Sequence, residues 1–276
     1  MKIAVHQMRS GINPLKNAAT MSAAISAAAK QDARFYFAPE MSILLDRDRA
    51  RSRDTIKAES ETDAIKLIQK AAADAGIWVH LGSVPVLSET RDGRFANRTL
   101  VIDNIGEIRA RYDKIHLFDV DLATGESWRE SSAYAPGAGA VIVDTPLGAL
   151  GLTICYDMRF PDLYSMLSAA GVDALAVPAA FTVPTGRAHW HALLRARAIE
   201  AQAFVIAAAQ SGQHEDGRVT YGHSLVIDPW GEVLLDMGEG EGLGFVDLDL
   251  DRIAEVRAQI PVHQNRREIF KPVKML

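Results

Sequence analysis

The stretch Gly148-Ala149-Leu150-Gly151-Leu152-Thr153-Ile154-Cys155-Tyr156-Asp157-Met158-Arg159-Phe160-Pro161 narrows the folds open to this chain more than any other. Its first half is an apolar run of small and branched residues, the pattern of a buried strand. The run ends at Cys155, the only cysteine present. Pro161 then opens a helical pattern over Asp162–Ala170, and Gly171 closes it. Proline suits a first helical turn and glycine the position just past the last. A tight strand-to-helix turn can hold a nucleophile up at the end of a strand. The positive end of the following helix favours a thiolate there. The plainer alternative is a buried cysteine that serves as a small hydrophobe.

The rest of the pattern supplies more elements of the same two kinds. Ile3–Gln7 reads as a strand, and Asn13-Pro14 as the N-cap and first turn of a helix to about Lys30. Arg34–Ala38 is a second strand, ending at Pro39-Glu40. Glu61–Ala75 carries Ile65, Ile68, Ala72 and Ala75 on one helical face, closed by Gly76. Ile77–Val84 reads as a buried strand. Thr99–Ile102, the turn Asp103-Asn104-Ile105-Gly106 and Glu107–Tyr112 form a hairpin. Ser224–Ile227, Asp228-Pro229-Trp230-Gly231 and Glu232–Asp236 repeat it. Both turns open with Asp and close with Gly. A third hairpin spans Val141–Ile154 around Pro146-Leu147-Gly148. Ala174–Val177 and Ala203–Ala209 are strands, Ala188–Ala201 and Asp251–Gln259 helices, and the tail from Pro261 is expected to be extended. The central strands are continuously apolar, so both of their faces must be covered. No linker or low-complexity segment interrupts residues 1–276, which are read as a single α/β domain.

Composition sets outer limits. The 276 residues are 48% hydrophobic and 24% charged, enough for a large core. With one cysteine no intrachain disulfide can form, which fits a reducing, cytoplasmic location. Met1-Lys2-Ile3 enters a strand at once, so no signal peptide is expected. The apolar runs are too short to span a bilayer, which argues against a membrane. A net charge of −5 argues against a nucleic-acid partner. The mixed-sign run Asp46–Asp54 reads as a solvated loop or helix face, with substrate contact the lesser alternative. His189 and His191 are two apart and point to different sides of a helix, and His116 and His223 stand alone in the sequence. No metal is expected. Arg197 and Glu200 have the spacing of a structural ion pair on a helix, and Arg195 is read as structural beside them.

Three segments set a distinctive polar residue just after an apolar strand. Glu40 follows Phe35–Pro39, Lys114 follows Ile108–Asp113, and Cys155 follows Leu150–Ile154. In a doubly covered sheet, ligands bind beyond the strand ends. A carboxylate, an ammonium and a thiol meeting there form a working set: a base, an oxyanion stabiliser and a nucleophile. Order along the chain does not show convergence, and each can equally be a surface residue at a strand terminus.

Pro39-Glu40, Tyr112-Asp113-Lys114-Ile115-His116-Leu117-Phe118 and Cys155–Pro161 resemble the three signature blocks of the nitrilase superfamily of carbon–nitrogen hydrolases. The resemblance continues through Pro178–Phe181, Thr185–Trp190, Leu194–Glu200 and Tyr221–Ser224, so it covers nearly the whole chain. His189-Trp190, Pro229-Trp230-Gly231 and the Arg159-Phe160-Pro161 block favour the Nit-type amidase branch. The resemblance implies a four-layer α-β-β-α sandwich and a homodimer or larger assembly. It implies Glu40 as general base, Lys114 as oxyanion stabiliser, Cys155 as nucleophile, and Glu130, rather than Glu126, as the acid that orients the lysine. No cofactor is required.

The implied reaction is hydrolysis of a small amide that carries a carboxylate, through a thioester on Cys155. Deaminated glutathione is the first expected substrate, with 2-oxoglutaramate or an N-carbamoyl amino acid as alternatives. A relative that binds without turnover is the alternative of another class. Glu40 then needs a raised pKa, or titration coupled to Cys155, which burial can supply. The backbone N–H of Tyr156 joins the oxyanion site. Arg159 suits the substrate carboxylate, against an ion pair with Asp157 or Asp162. Phe181 and Thr185 resemble residues lining the acyl pocket. His191 stands where relatives carry Glu, and Arg187 where Pro is common, which bears on substrate choice.

Overall fold

The structure is a computed structural model and describes residues 1–90, 92–121, 125 and 127–267. Two sheets lie face to face with helices on both outer sides. The first sheet runs Gly242–Asp247, Lys2–Gln7, Phe35–Phe37, Trp78–His80, Phe95–Ile102, Val84–Leu87, and Ile108–Asp113 pairs the other edge of Phe95–Ile102. The second runs Val233–Asp236, Leu225–Ile227, Phe204–Ala207, Ala174–Ala176, Gly148–Leu152, Val141–Thr145. This is the four-layer α-β-β-α sandwich.

Alternation along the strands builds the layers. Ile3, Val5, Phe35 and Phe37 point into the core shared with Leu150, Leu152, Ala176, Ile206 and Val226 of the second sheet. Ala4, Tyr36, Val79, Leu100 and Ile102 point the other way, onto Met21, Ile25, Ile65 and Ile68. Those four come from the helices Pro14–Lys30 and Asp63–Ala75. Helices Pro161–Ala169 and Val183–Ala201 cover the second sheet with Leu163, Leu167, Trp190 and Leu194. Fully burying each such side chain is worth about 1.5–3 kcal/mol.

Local signals act where they stand. The Asn13 side chain accepts from Lys16 N–H at 3.0 Å and starts its helix. Gly76, at φ +66°, ends the helix Asp63–Ala75. In the two matched hairpins, Asp103 accepts from Ile105 and Glu107, and Asp228 from Trp230 and Glu232.

Three expectations need correction. The stretch expected as one strand over Ile77–Val84 is two, Trp78–His80 and Val84–Leu87, broken where Gly82 turns at φ +71°. The helix expected from Ala188 begins at Val183, with Pro184 in its first turn. The run Asp46–Asp54, expected as a solvated loop or helix face, is a loop followed by the exposed helix Arg49–Thr55, started by the Asp48 side chain. The tail is not extended at its start, since Val262–Asn265 is a helical turn. The rest of the tail beyond 267, like Glu126, lies outside the described residues. The edge strand Gly242–Asp247, antiparallel to Lys2–Gln7, has no signal in its glycine-rich sequence.

Candidate active site

Cys155 sits three residues beyond the end of strand Gly148–Leu152. Backbone bonds to the neighbouring strand continue past that end: Thr153 N–H donates to Ala176 and Cys155 N–H to Pro178, at 3.2 and 2.9 Å. The chain then turns at Cys155 with φ +47°, a left-handed conformation that only surrounding structure holds in place. Asp157 supplies that hold. Its buried carboxylate accepts from Ile154 N–H at 2.9 Å, Tyr112 O–H at 2.7 Å, His116 N–H at 3.0 Å and His116 Nδ1–H at 2.8 Å. One acid therefore ties the cysteine turn to the segment that carries Lys114.

Glu40, Lys114 and Cys155 are 5%, 2% and 8% exposed, so the set is largely withdrawn from bulk water. Lys114 Nζ donates to Glu40 Oε1 at 2.8 Å and to Glu130 Oε2 at 3.0 Å. Glu40 Oε2 accepts Ala180 N–H at 2.9 Å, and its backbone oxygen accepts the Gln210 amide at 2.9 Å. Glu130 opens the short turn Glu130–Ser132 and accepts Phe118 N–H at 2.7 Å. The Asn97 amide bridges the two carboxylates, 3.0 Å from Glu40 and 3.3 Å from Glu130.

Burial by itself would raise the Glu40 carboxyl. The Lys114 charge and hydrogen bond, the neighbouring Cys155 thiol and the Ala180 N–H outweigh it and hold Glu40 below its ordinary value. Of the two alternatives expected for Glu40, the raised pKa is corrected, while Glu40 and Cys155 do act on each other's titration. The Cys155 thiol is pushed well up, first by burial and then by the Glu40 charge, against the pull of Lys114. The thiolate expected from the helix end is not the resting form. Lys114 is held well above its ordinary value, because the Glu130 and Glu40 charges outweigh the desolvation that opposes them.

These groups open onto a cavity of about 570 Å³, within the range of small-molecule sites. Tyr156, Phe181 and Thr185 line it together with Phe118, Trp128 and Thr182. Arg159 does not. Its guanidinium lies behind the wall, 5.2 Å over the Phe181 ring and 6.0 Å from the Tyr156 ring, and touches His189 at 3.3 Å. The alternative ion pair with Asp157 or Asp162 is not formed, since Asp157 is taken up by its four donors. Arg197 pairs with Glu200 at 2.6 Å, as their spacing suggests, and also donates to the Met158 carbonyl. Arg195 donates to the Gly231 carbonyl at 2.9 Å. His223, alone in sequence, meets Asp236 at 2.9 Å, and Asp236 also meets His191 at 2.9 Å.

Sequence reasoning missed Asn97 and Asp157. A polar residue inside the buried strand Phe95–Ile102 is the signal that marks Asn97, because a buried amide needs partners. The lesser alternative for the charged run gains support, since Asp46, Arg47 and Arg49 line the cavity.

A sandwich of this kind, with thiol, carboxylate and ammonium on one cavity wall, defines a nitrilase-like hydrolase architecture. The sequence model of the carbon–nitrogen hydrolase family matches residues 2–258, and the chain belongs to that family. It is 41% identical over 210 residues to a deaminated glutathione amidase of Yersinia enterocolitica, covering 76% of this chain and 73% of the relative. The crystal structure of the C. elegans NitFhit protein superposes with a TM-score of 0.89 at 37% identity; the match covers 96% of this chain and 65% of that longer one. An amidase from Nesterenkonia sp. AN1, in a glutamate-to-glutamine mutant carrying acrylamide added at its active-site cysteine, matches at 26% identity and a TM-score of 0.78, over 96% and 99% of the two chains. Among the described residues no helix is long and apolar enough to cross a membrane.

Proposed function

We propose that this chain hydrolyses deaminated glutathione, with Cys155 as nucleophile, Glu40 as general base, and Lys114 with the Tyr156 backbone N–H as the oxyanion site. The observation that carries the reading is the meeting of Glu40, Lys114 and Cys155 at one cavity. Glu40 at rest is ionised and the thiol neutral. As the sulfur attacks the amide carbon, its proton moves to Glu40, and the oxyanion is balanced by the Lys114 ammonium. Glu40 then gives the proton to the departing amine, leaving a thioester. Water, deprotonated by Glu40, attacks the thioester, and the thiol is restored. Glu130 positions Lys114 by taking two of its hydrogen-bond directions.

Tyr156, Phe181 and Thr185 bound the acyl pocket in this reading. Arg159 has no acid partner among the described residues, and its place behind Phe181 suits a carboxylate on the acyl half once that ring shifts. The test is release of product from a panel of amides, with Cys155→Ala as the silent control. Turnover of deaminated glutathione is the expected result. Turnover of N-carbamoyl amino acids alone overturns the reading.

The chain is read as one functional unit, 1–276, that forms homodimers in a reducing cytoplasm. Met166 and Ile199 stay 63% and 49% exposed on the two helices that cover the second sheet, and apolar side chains so placed suit an interface. Light scattering of the purified protein tests the dimer.

A further inference from the structure

The cavity that holds Cys155 is also walled by Arg47, Arg49, Arg129 and Arg218. Two of these come from distant segments and are gathered by one buried acid. Asp216 Oδ2 accepts Arg47 N–H at 2.9 Å and Arg218 Nε–H at 2.7 Å, while Oδ1 accepts Arg218 N–H at 3.1 Å. The Asp216 side chain is wholly buried. The Arg47 guanidinium lies against Gly217, its Nη2 only 3.4 Å from where a Cβ on that glycine would stand. The Arg218 guanidinium lies 5.3 Å over the Trp128 ring, which limits its rotation. The Arg47 guanidinium thus lies against Gly217 and the Arg218 guanidinium over Trp128, and Asp216 compensates only the second.

The other charges nearby do not supply the missing anion. Asp46, which also lines the cavity, is held by Arg51 and feels Arg218 only weakly beside it, and Arg129 is paired with Asp121. Among the described residues the Arg47 guanidinium has no acid partner. The catalytic end carries the opposite excess, two carboxylates around one ammonium. A substrate with an anionic tail is thus repelled from one region and held by the other, which fixes its direction in the cavity. A planar guanidinium fork matches a carboxylate in two parallel hydrogen bonds.

We propose that Arg47 and Arg218 form a receptor for the distal carboxylate on the amine half of the substrate. This rests on the amidase reading above, in which the departing amine is the dipeptide half of deaminated glutathione with its free C-terminal carboxylate, and adds the residues that hold that carboxylate. Asp216 is the positioning residue: it aims the Arg218 side chain and anchors the backbone that carries Arg47.

The experiment compares deaminated glutathione with its C-terminal carboxamide in the 276-residue protein. The wild type is expected to prefer the acid by about tenfold or more in kcat/KM, mainly through KM. Arg47→Gln, at an exposed position, brings that preference to about one. Arg218→Lys, which keeps a charge for Asp216, narrows it in the same direction. Equal handling of acid and carboxamide by the wild type, or an undiminished preference in both variants, overturns the receptor and leaves the amidase reading standing. Turnover of simple amides with none of deaminated glutathione overturns both.

Discussion

Lys114 Nζ donates to Glu40 Oε1 across 2.8 Å, with both side chains shut away from water. A buried carboxylate survives in ionised form only beside such a partner. Every functional and energetic expectation for the site follows from that pair and from the thiol next to it.

Replacing Lys114 by Met leaves Glu40 buried and unpaired. The expected cost is about 3–5 kcal/mol at pH 7, read by urea unfolding. The folded-state pKa of Glu40 lies below its unfolded value. Its contribution is therefore complete above the unfolded value of about 4.3 and is lost as pH falls through the folded one. In Lys114→Met the two largest causes that lower the Glu40 carboxyl are gone, and burial, opposed only by the Cys155 and Ala180 hydrogen bonds, raises it, so the variant takes up a proton at mild acidity. The stability gap between wild type and variant narrows from pH 7 to pH 5. A gap of constant size contradicts the assignment.

Glu40→Gln separates hydrolysis from thiol reactivity. Loss of the base lowers kcat by about 10²–10⁴-fold. The Glu40 charge is also the second cause, after burial, that keeps the thiol protonated, while Lys114 pulls the other way. Removing that charge makes the thiol more acidic. Alkylation of Cys155 by acrylamide at pH 8 is expected to run faster in the variant. Slower alkylation alongside lost hydrolysis would count against this account.

Gly82 lets the backbone pass behind Glu40. A Cβ there would stand 1.9 Å from the Pro39 carbonyl oxygen, at φ +71°. Gly82→Ala is expected to cost about 2–5 kcal/mol through overpacking and strain, and to lower kcat by displacing Glu40. Gly76→Ala is the control: its φ is +66°, but no atom lies within 4 Å of the added carbon. That change costs about 1 kcal/mol and leaves kcat alone. Thermal melts and steady-state rates on both variants decide the matter.

Asn97→Ala removes the amide shared by Glu40 and Glu130. The expected loss is about 1–3 kcal/mol of stability, together with a fall in kcat at constant KM, because the amide orients the base without lining the cavity. A change confined to KM would place Asn97 in substrate binding instead.

Much of the architecture was legible because its signals are local. Period-two and period-3.6 patterns mark strands and helices, and Asn13, Gly76 and the paired Asp…Gly turns mark their ends. Strand ends are local features too, so Glu40, Lys114 and Cys155 could be singled out one by one. Boundaries failed where a local cue was overruled. Gly82 breaks a strand because the Pro39 backbone crowds it, and Gly242–Asp247 becomes a strand because Lys2–Gln7 offers an open edge.

The chain's order of residues therefore settled which elements form and which side chains stand at their ends. Only the folded molecule decided that residues 74 apart, Lys114 and Glu40, share a proton-sensitive contact, that Asp216 gathers Arg47 and Arg218, and that Arg159 sits behind Phe181. The physical reason is one of range. Periodicity and capping act over a few residues along the backbone, whereas desolvation and Coulomb interactions depend on distance through space, which packing alone sets.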